Sequence, residues 1–137
     1  MPFEVRPLPE ISAIELRLWG KLNIEDLRTL SAEVMTLAKT TGYRRALADC
    51  RDYLGGSGLG EVYFLAEEVT RRPGSERGVE ALIAPADALA AADVQFYATA
   101  ARNRGTVVRV FAERQAATEW LLQLGQAYGR PVRPEKA

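Results

Sequence analysis

Apolar and polar residues alternate along the N-terminal part of the chain with the period of a β-strand. In residues 11–19 the two kinds of side chain fall on successive positions: Ile14, Leu16 and Leu18 on one side, and Glu15, Arg17 and Trp19 on the other. Such alternation is typical of a half-buried strand. Residues 3–8 are also rich in β-forming residues, and Pro7, Pro9 and Glu10 supply a turn between the two segments. The pattern therefore predicts an N-terminal β-hairpin.

From residue 23 onward, helical periodicity alternates with short apolar runs. Asn23, with Asp26 three residues later, resembles a capping box, and Gly42 ends the apolar stripe that follows it. Further helices are predicted at 59–70, after Asp87, and at 115–127. The helix after Asp87 is expected to bury one face: Leu89, Ala92, Phe96 and Ala100. Strands are predicted at 45–50, 79–84 and 106–111.

This order of elements predicts an α/β fold. Strands that alternate with helices form right-handed crossovers and a largely parallel sheet. We expect a single domain at 1–129, with a mostly parallel five-stranded sheet, four helices and the N-terminal hairpin, and a frayed tail at 130–137.

Composition limits the classes of partner. Of the 137 residues 47% are hydrophobic, enough for one sizeable core, and 18 basic residues balance 18 acidic ones. With no net charge to attract a polyanion, we predict that the chain does not bind nucleic acid. No apolar run approaches membrane-spanning length, so we expect a cytoplasmic protein without membrane insertion. The single cysteine, Cys50, is expected to be buried at the end of its strand.

The chain contains no histidine. Serine and cysteine hydrolases of the triad type and histidine-ligated zinc sites all need an imidazole, and a single cysteine cannot build a thiolate cage. We therefore predict a non-catalytic protein without a cofactor or metal. An enzyme would have its best site at Asp49 and Asp52 with Ser57.

A glycine cluster around one serine, at residues 55–60, lies between a predicted strand and a predicted helix. Glycines there allow positive φ and the close approach of a partner, and the helix start offers unpaired N–H groups. A serine before a helix also serves as an ordinary N-cap. The spacing of the glycines lacks the last part of the dinucleotide fingerprint, and no P-loop lysine follows. The candidate interaction or ligand surface comprises Asp49, Arg51, Asp52, Gly55, Gly56, Gly58, Leu59 and Gly60, with Ser57 as a candidate phosphorylation switch.

The element order and the sequence Ser57-Gly58-Leu59-Gly60 resemble the STAS domain of sulphate transporters and anti-sigma factor antagonists, including the SpoIIAA-like proteins. The sporulation antagonists carry Asp-Ser-Ser-Gly-Leu-Gly at this junction, and a partner kinase phosphorylates the second serine. Here Gly55 and Gly56 replace the preceding Asp-Ser. The resemblance implies a regulatory module that binds another protein, such as a kinase, and is switched by phosphorylation of Ser57.

A second resemblance covers residues 96–105, 107–111 and 117–121, which are similar to bacterial STAS-like proteins grouped with lipid-binding CRAL-TRIO folds. It implies an alternative function, the binding of a small ligand such as a lipid or a nucleotide between the sheet and its helices. The alanines and glycines of 89–101 and 55–60 would leave room for such a ligand, and the same small residues equally allow close helix packing. We also expect a homodimer, because the predicted faces do not place every aromatic residue inside: Trp19, Tyr53, Tyr63 and Tyr128.

Overall fold

The computed structural model describes residues 2–56, 58–70 and 78–127. Within these residues it contains five strands: β1 (Phe3–Leu8), β2 (Ala13–Gly20), β3 (Arg45–Tyr53), β4 (Val79–Ile83) and β5 (Val107–Phe111). The same residues contain four α-helices: α1 (Ile24–Thr41), α2 (Leu59–Thr70), α3 (Ala88–Asn103) and α4 (Arg114–Ala127). A short 3₁₀ turn, Pro9–Ile11, links β1 to β2. None of the described helices is long and apolar enough to cross a membrane.

The strands form one sheet in the order β1-β2-β3-β4-β5. The first two strands are antiparallel, with Phe3 opposite Leu18 and Leu8 opposite Ala13, and each later strand is parallel to its neighbour. The predicted α/β fold, with its hairpin and its mostly parallel sheet, is confirmed. The predicted tail at 130–137 lies outside the described residues.

The two faces of the sheet are covered differently. Parallel strands that follow one another in a single direction carry their crossover helices on one side, because each crossover has the same hand. Leu27 and Leu30 of α1, Ala66 of α2, and Ala90 and Val94 of α3 accordingly pack in one hydrophobic core. We call this side the three-helix face. Helix α4, through Ala117 and Leu121, packs on the opposite side, the α4 face.

Helix α1 begins and ends as its sequence predicts. Asn23 is its N-cap, and its side-chain oxygen accepts a 2.8 Å hydrogen bond from the backbone N–H of Asp26. The Asp26 carboxylate in turn accepts a hydrogen bond from the backbone N–H of Asn23, at 3.1 Å, which completes the capping box. Gly42 ends the helix in the left-handed conformation, with φ of 79°.

Two local predictions are wrong. The third strand does not end at Cys50 but continues to Tyr53, because Asp52 and Tyr53 pair with Trp19 and Gly20 of β2. Helix α3 does not bury the predicted face, since Leu89 is 79% exposed and Ala92 is also exposed. The buried residues of α3 are Ala90, Val94, Ala98, Ala100 and Ala101. Alanines occupy many positions of this helix, so its apolar periodicity does not identify one face.

The aromatic residues on which the expected homodimer rests lie in different environments. Tyr53 is buried, with 4% of its surface exposed. Trp19 is half-buried, and the Arg17 guanidinium carbon lies 5.1 Å from the centre of its ring. The side chain of Tyr63 and the whole of Tyr128 lie outside the described part of the structure. The homodimer remains a prediction.

Candidate functional site

A cavity of about 180 Å³ lies between the three-helix face of the sheet and the helices that cover it. Its walls are mostly aliphatic. The sheet contributes Leu16, Leu18 and Leu82, and the helices contribute Leu27, Leu30, Val34, Val62, Leu65 and Val94. The cavity is partly open to the surface and is not a sealed void inside the core.

Small side chains on the central strand create this space. Three residues of β3 that face the helices, Ala46, Ala48 and Cys50, have small side chains, and all three line the cavity. Central strands of parallel sheets usually carry larger aliphatic residues at such positions. On the other face of the same strand, Leu47 is fully buried against the α4 side. The cavity therefore follows from the choice of residues on one face of one strand.

Polar side chains lie at the two ends of the cavity. Near the amino end of β4, the Tyr97 hydroxyl donates a 2.8 Å hydrogen bond to Oε1 of Glu80. Near the carboxyl end of β3, Tyr53 and Asp93 line the wall. Burial, and to a smaller degree the charge of Asp93, raises the pKa of Tyr53 to about 12. Burial also raises the pKa of Asp93 above its ordinary value.

Cys50 is buried, as predicted, and its side chain lines the cavity. Only 3% of its surface is exposed, and burial, together with the charge of Asp49, raises the pKa of its thiol to about 12. The side chain is therefore a neutral thiol at physiological pH. Since thiolates rather than thiols are nucleophilic, Cys50 contributes packing and not covalent chemistry.

The first two glycines of the cluster join neighbouring parts of the fold. Gly55 has φ of 85°, and a Cβ at this position would lie 3.2 Å from Oδ2 of Asp93. The carbonyl oxygen of Gly55 accepts a 2.9 Å hydrogen bond from the N–H of Leu22. Gly56 has φ of 126°, and a Cβ there would come within 2.7 Å of the Leu22 carbonyl oxygen. Positive φ thus favours glycine at both positions, and at Gly56 the close backbone of Leu22 also leaves no room for a side chain.

The rest of the cluster leads into α2. The carbonyl oxygen of Gly58 accepts hydrogen bonds from the N–H groups of Glu61 and Val62, at 3.0 and 3.1 Å. Leu59 and Gly60 form the first two positions of the helix. Gly56 and Gly58 are exposed. Ser57, the candidate phosphorylation site, lies outside the described residues.

The charged members of the candidate surface lie on the α4 face. Asp49 is buried and binds Arg51 through two hydrogen bonds, Nε to Oδ1 at 3.0 Å and Nη2 to Oδ2 at 2.7 Å. These bonds are the main reason that the pKa of Asp49 is below its ordinary value. Asp52 is exposed and pairs with Arg17 at 3.2 Å. The sheet thus separates these side chains from Gly55, whose neighbour Asp93 belongs to the three-helix face.

The α4 face also contains an ion cluster that the sequence analysis did not identify. Glu15, whose side chain is only 7% exposed, accepts hydrogen bonds from Arg6 at 2.7 Å and Arg114 at 2.6 Å. Burial by itself would raise the pKa of Glu15, but the two arginines outweigh that effect and lower it. We call Arg6, Glu15 and Arg114 the Glu15 cluster. Each arginine ties its element, β1 or α4, to the centre of β2.

Comparison with solved structures identifies the architecture. A crystal structure of an uncharacterized protein of the DUF3478 family from Shewanella loihica PV-4, described as having a SpoIIAA-like fold, superimposes with a TM-score of 0.57. The likeness covers 87% of this chain and 91% of the other, at 16% sequence identity. The fold is SpoIIAA-like. The resemblance predicted from the sequence is confirmed at this level. Comparison with protein-family models gives no match, and comparison with curated proteins gives none either.

The small residues of 89–101 and 55–60 predicted room for a ligand between the sheet and its helices, and a cavity lies there in this SpoIIAA-like fold. The part that β3 plays in it was missed. A signal was present, because the residues Ala46, Ala48 and Cys50 are all small and all face one side of β3. The sequence does not show whether helices close over such a strand or stand away from it. Their distance depends on side chains of α1, α2 and α3, which are far apart in the chain.

Proposed function

We propose that this protein is a non-catalytic binding module that holds a small, mostly apolar ligand in the cavity on its three-helix face. The observation that carries the proposal is the cavity itself, about 180 Å³ with predominantly aliphatic walls. An engineered apolar cavity of about 150 Å³ in another protein stays dry and binds benzene. The same physical reasoning gives this cavity an affinity for apolar molecules of slightly larger size.

The lining favours an apolar ligand over a nucleotide. A nucleotide needs donors for its phosphates, whereas two of the charged groups in the wall are the carboxyl groups of Glu80 and Asp93. Arg44 and Arg45 also line the cavity, near the amino ends of β3 and β4. The Arg45 guanidinium donates to the carbonyl oxygens of Leu121 at 3.0 Å and Ile11 at 2.9 Å. The two arginines are matched by the two carboxyl groups, and most of the remaining wall is apolar. A lipid-like molecule of modest size therefore suits the site better than a nucleotide.

The test is the binding of apolar probes to purified protein from which bound lipid has been removed. We expect benzene and butylbenzene to shift the methyl NMR signals of cavity residues, saturably and at submillimolar to millimolar concentration. The variant Ala48→Leu fills the cavity and should abolish these shifts. The control Leu89→Ala removes an exposed side chain from the outer surface of α3 and should leave them unchanged. Absence of saturable shifts in the unmodified protein would contradict the proposal.

Native mass spectrometry of freshly purified protein gives an independent measurement. A retained molecule of lipid-like mass, lost on Ala48→Leu, supports a carrier role. A clean mass of the chain alone, combined with no probe binding, rejects it.

A regulatory interaction module is the second candidate function. The SpoIIAA-like fold supports it, and so does the exposure of Gly56 and Gly58, the two neighbours of Ser57 in sequence. A phosphate on Ser57 would add about two negative charges just before α2 in sequence, next to an exposed loop where a partner such as a kinase can bind. Ser57→Asp and Ser57→Ala should then retain different partners from a host extract. Identical partners, with no phosphate on Ser57 in protein isolated from its host, would exclude the switch.

A further inference from the structure

The carboxyl end of the cavity contains two polar groups that no other described residue satisfies. Only 4% of the surface of Tyr53 is exposed. Both Tyr53 and Asp93 line the cavity. No hydrogen bond joins the Tyr53 hydroxyl or the Asp93 carboxyl group to another residue in the described parts of the chain. Tyr53 is buried but Asp93 is only half-buried, so its carboxyl group is open to solvent. A ligand that displaces water from these two groups must supply hydrogen bonds in its place.

An irregularity in the sheet places Tyr53 at the cavity. The pairing of β2 with β3 passes from Arg17 opposite Asp49 to Trp19 opposite Asp52, so β3 contains one residue more than β2 over this stretch. An extra residue reverses the alternation of side chains beyond it. Without the bulge Tyr53 would share the face of Asp49 and lie on the α4 side. With it, the tyrosine lies among the residues of the three-helix core.

The glycine loop places the second group. A Cβ at position 55 would lie only 3.2 Å from the Oδ2 atom of Asp93. Glycine at this position therefore lets the carboxyl group approach the loop. The charge of Asp93 is one of the causes that raise the pKa of Tyr53, which agrees with their closeness. Two separate features, the bulge and Gly55, thus bring a hydroxyl and a carboxyl group to one end of an apolar space.

The opposite end of the cavity differs, because its polar groups have partners. There the Tyr97 hydroxyl donates to Glu80 at 2.8 Å. A polar group on a ligand would therefore find unused hydrogen-bonding capacity at the Tyr53 end. A carboxyl oxygen accepts hydrogen bonds, and a phenol both donates and accepts.

From this arrangement, which rests on the proposed function of the cavity, we propose that Tyr53 and Asp93 bind a hydroxyl or amino head group of an otherwise apolar ligand. The head group donates to the Asp93 carboxyl group and exchanges a hydrogen bond with the Tyr53 hydroxyl. A ligand ending in a carboxylate is disfavoured, because it would bring a second acidic group against Asp93 in a site of low polarity. The site thus selects medium-chain alcohols and amines over fatty acids.

Three probes with the same eight-carbon chain test the selection: 1-octanol, octylamine and octanoate. For the unmodified protein at neutral pH we expect 1-octanol and octylamine to bind at least about tenfold more tightly than octanoate. Tyr53→Phe retains the ring and should weaken 1-octanol binding about fivefold. Asp93→Asn retains the shape and should weaken octylamine about tenfold while strengthening octanoate. Glu33→Gln, on the exposed surface of α1, is the control and should change none of these affinities.

Butylbenzene has no head group, so its binding reports on the apolar cavity alone. If butylbenzene binds all variants alike while the head-group preferences change as stated, the inference is supported. If it binds but 1-octanol, octylamine and octanoate bind equally, or the two variants change nothing, the head-group inference is overturned and the apolar cavity function stands. If butylbenzene and the three probes all fail to bind the unmodified protein, both are overturned.

Discussion

The two faces of the sheet differ in how tightly helices pack against them. On the α4 face, Leu47, Ala81, Ile83 and Leu121 are completely or almost completely inaccessible, and the Glu15 cluster lies beside them. On the three-helix face, small residues of β3 leave a cavity of about 180 Å³ under three helices. One face is thus filled and tied by charge pairs, while the other retains space.

This difference separates stability from binding within one small domain. A side chain that lines a void lacks partner atoms on one side and gains less dispersion energy than one that is surrounded. The three-helix face is accordingly less tightly packed. The aliphatic contacts and ion pairs of the α4 face contribute more to the stability of the sheet. Matched substitutions on the two faces should therefore have different effects.

The largest difference is expected for large-to-small substitutions in the two cores. Leu121→Ala removes a fully buried side chain between α4 and the sheet and should lower the free energy of unfolding by about 3–5 kcal/mol. Leu30→Ala, on the wall of the cavity, should lower it by only about 2 kcal/mol, because Leu30 already borders a void. Urea unfolding measures both. Equal losses would show that the cavity face is as tightly packed as the other.

Small-to-large substitutions should differ in the opposite sense. Ala81→Leu inserts three carbons into the filled α4 core, where Ala81 has no exposed surface, and should cost about 1–3 kcal/mol. Ala48→Leu inserts the same group into the cavity and should leave the stability unchanged or raise it by about 0.5 kcal/mol. Thermal unfolding of the two variants provides the comparison. A large loss with Ala48→Leu would mean that the cavity cannot accept three carbons.

The two faces should respond oppositely to acid. The folded pKa of Glu15 is lowered, so its stabilisation is present above about pH 4.3, the ordinary glutamate value, and is lost as the pH falls through the folded pKa. Glu15→Gln should therefore cost about 1 kcal/mol at pH 7, limited by the exposure of Arg6 and Arg114, and less at pH 3.

Asp93, on the three-helix face, should affect the pH dependence of stability in the opposite direction. Its folded pKa is raised, so the favourable protonated form is present at low pH, and stability is lost as the pH rises through the folded pKa. Asp93→Asn should raise the stability slightly at pH 7 and leave it unchanged at pH 3. Unfolding curves of both variants between pH 3 and pH 7 measure the two effects. Parallel pH profiles for the two variants would contradict the assignment.

The smallest effect is expected at the exposed edge of the α4 face. The side chains of Arg17 and Asp52 are 44% and 64% exposed, so their ion pair at 3.2 Å is largely screened by water. Asp52→Asn should change the free energy of unfolding by no more than about 0.5 kcal/mol. Chemical denaturation of Asp52→Asn and Glu15→Gln, measured in parallel, compares the two losses of unfolding free energy. A loss above about 1 kcal/mol would show that this edge contributes to stability as the Glu15 cluster does.

The sequence predicted most of the fold and only part of the site. The hairpin, the capping box at Asn23 and the order of strands and helices follow from local patterns, and the structure bears them out. The buried face of α3 was not predictable, because alanines of the helix occur on all of its sides. Leu89, which was expected to be buried, is exposed. Gly55 and Gly56 were correctly read as positions of positive φ, but the residues that approach them, Asp93 and Leu22, lie elsewhere in the chain.

Local patterns by themselves determined the secondary structure and the parallel sheet, since periodicity and caps act within a few positions of the chain. Tertiary structure alone decided the size of the cavity and which polar side chains line it. The cavity depends on how closely three separate helices approach the small residues of β3, and the position of Tyr53 depends on one extra residue in the pairing of β3 with β2. Both are properties of contacts between distant segments, which a local pattern does not encode.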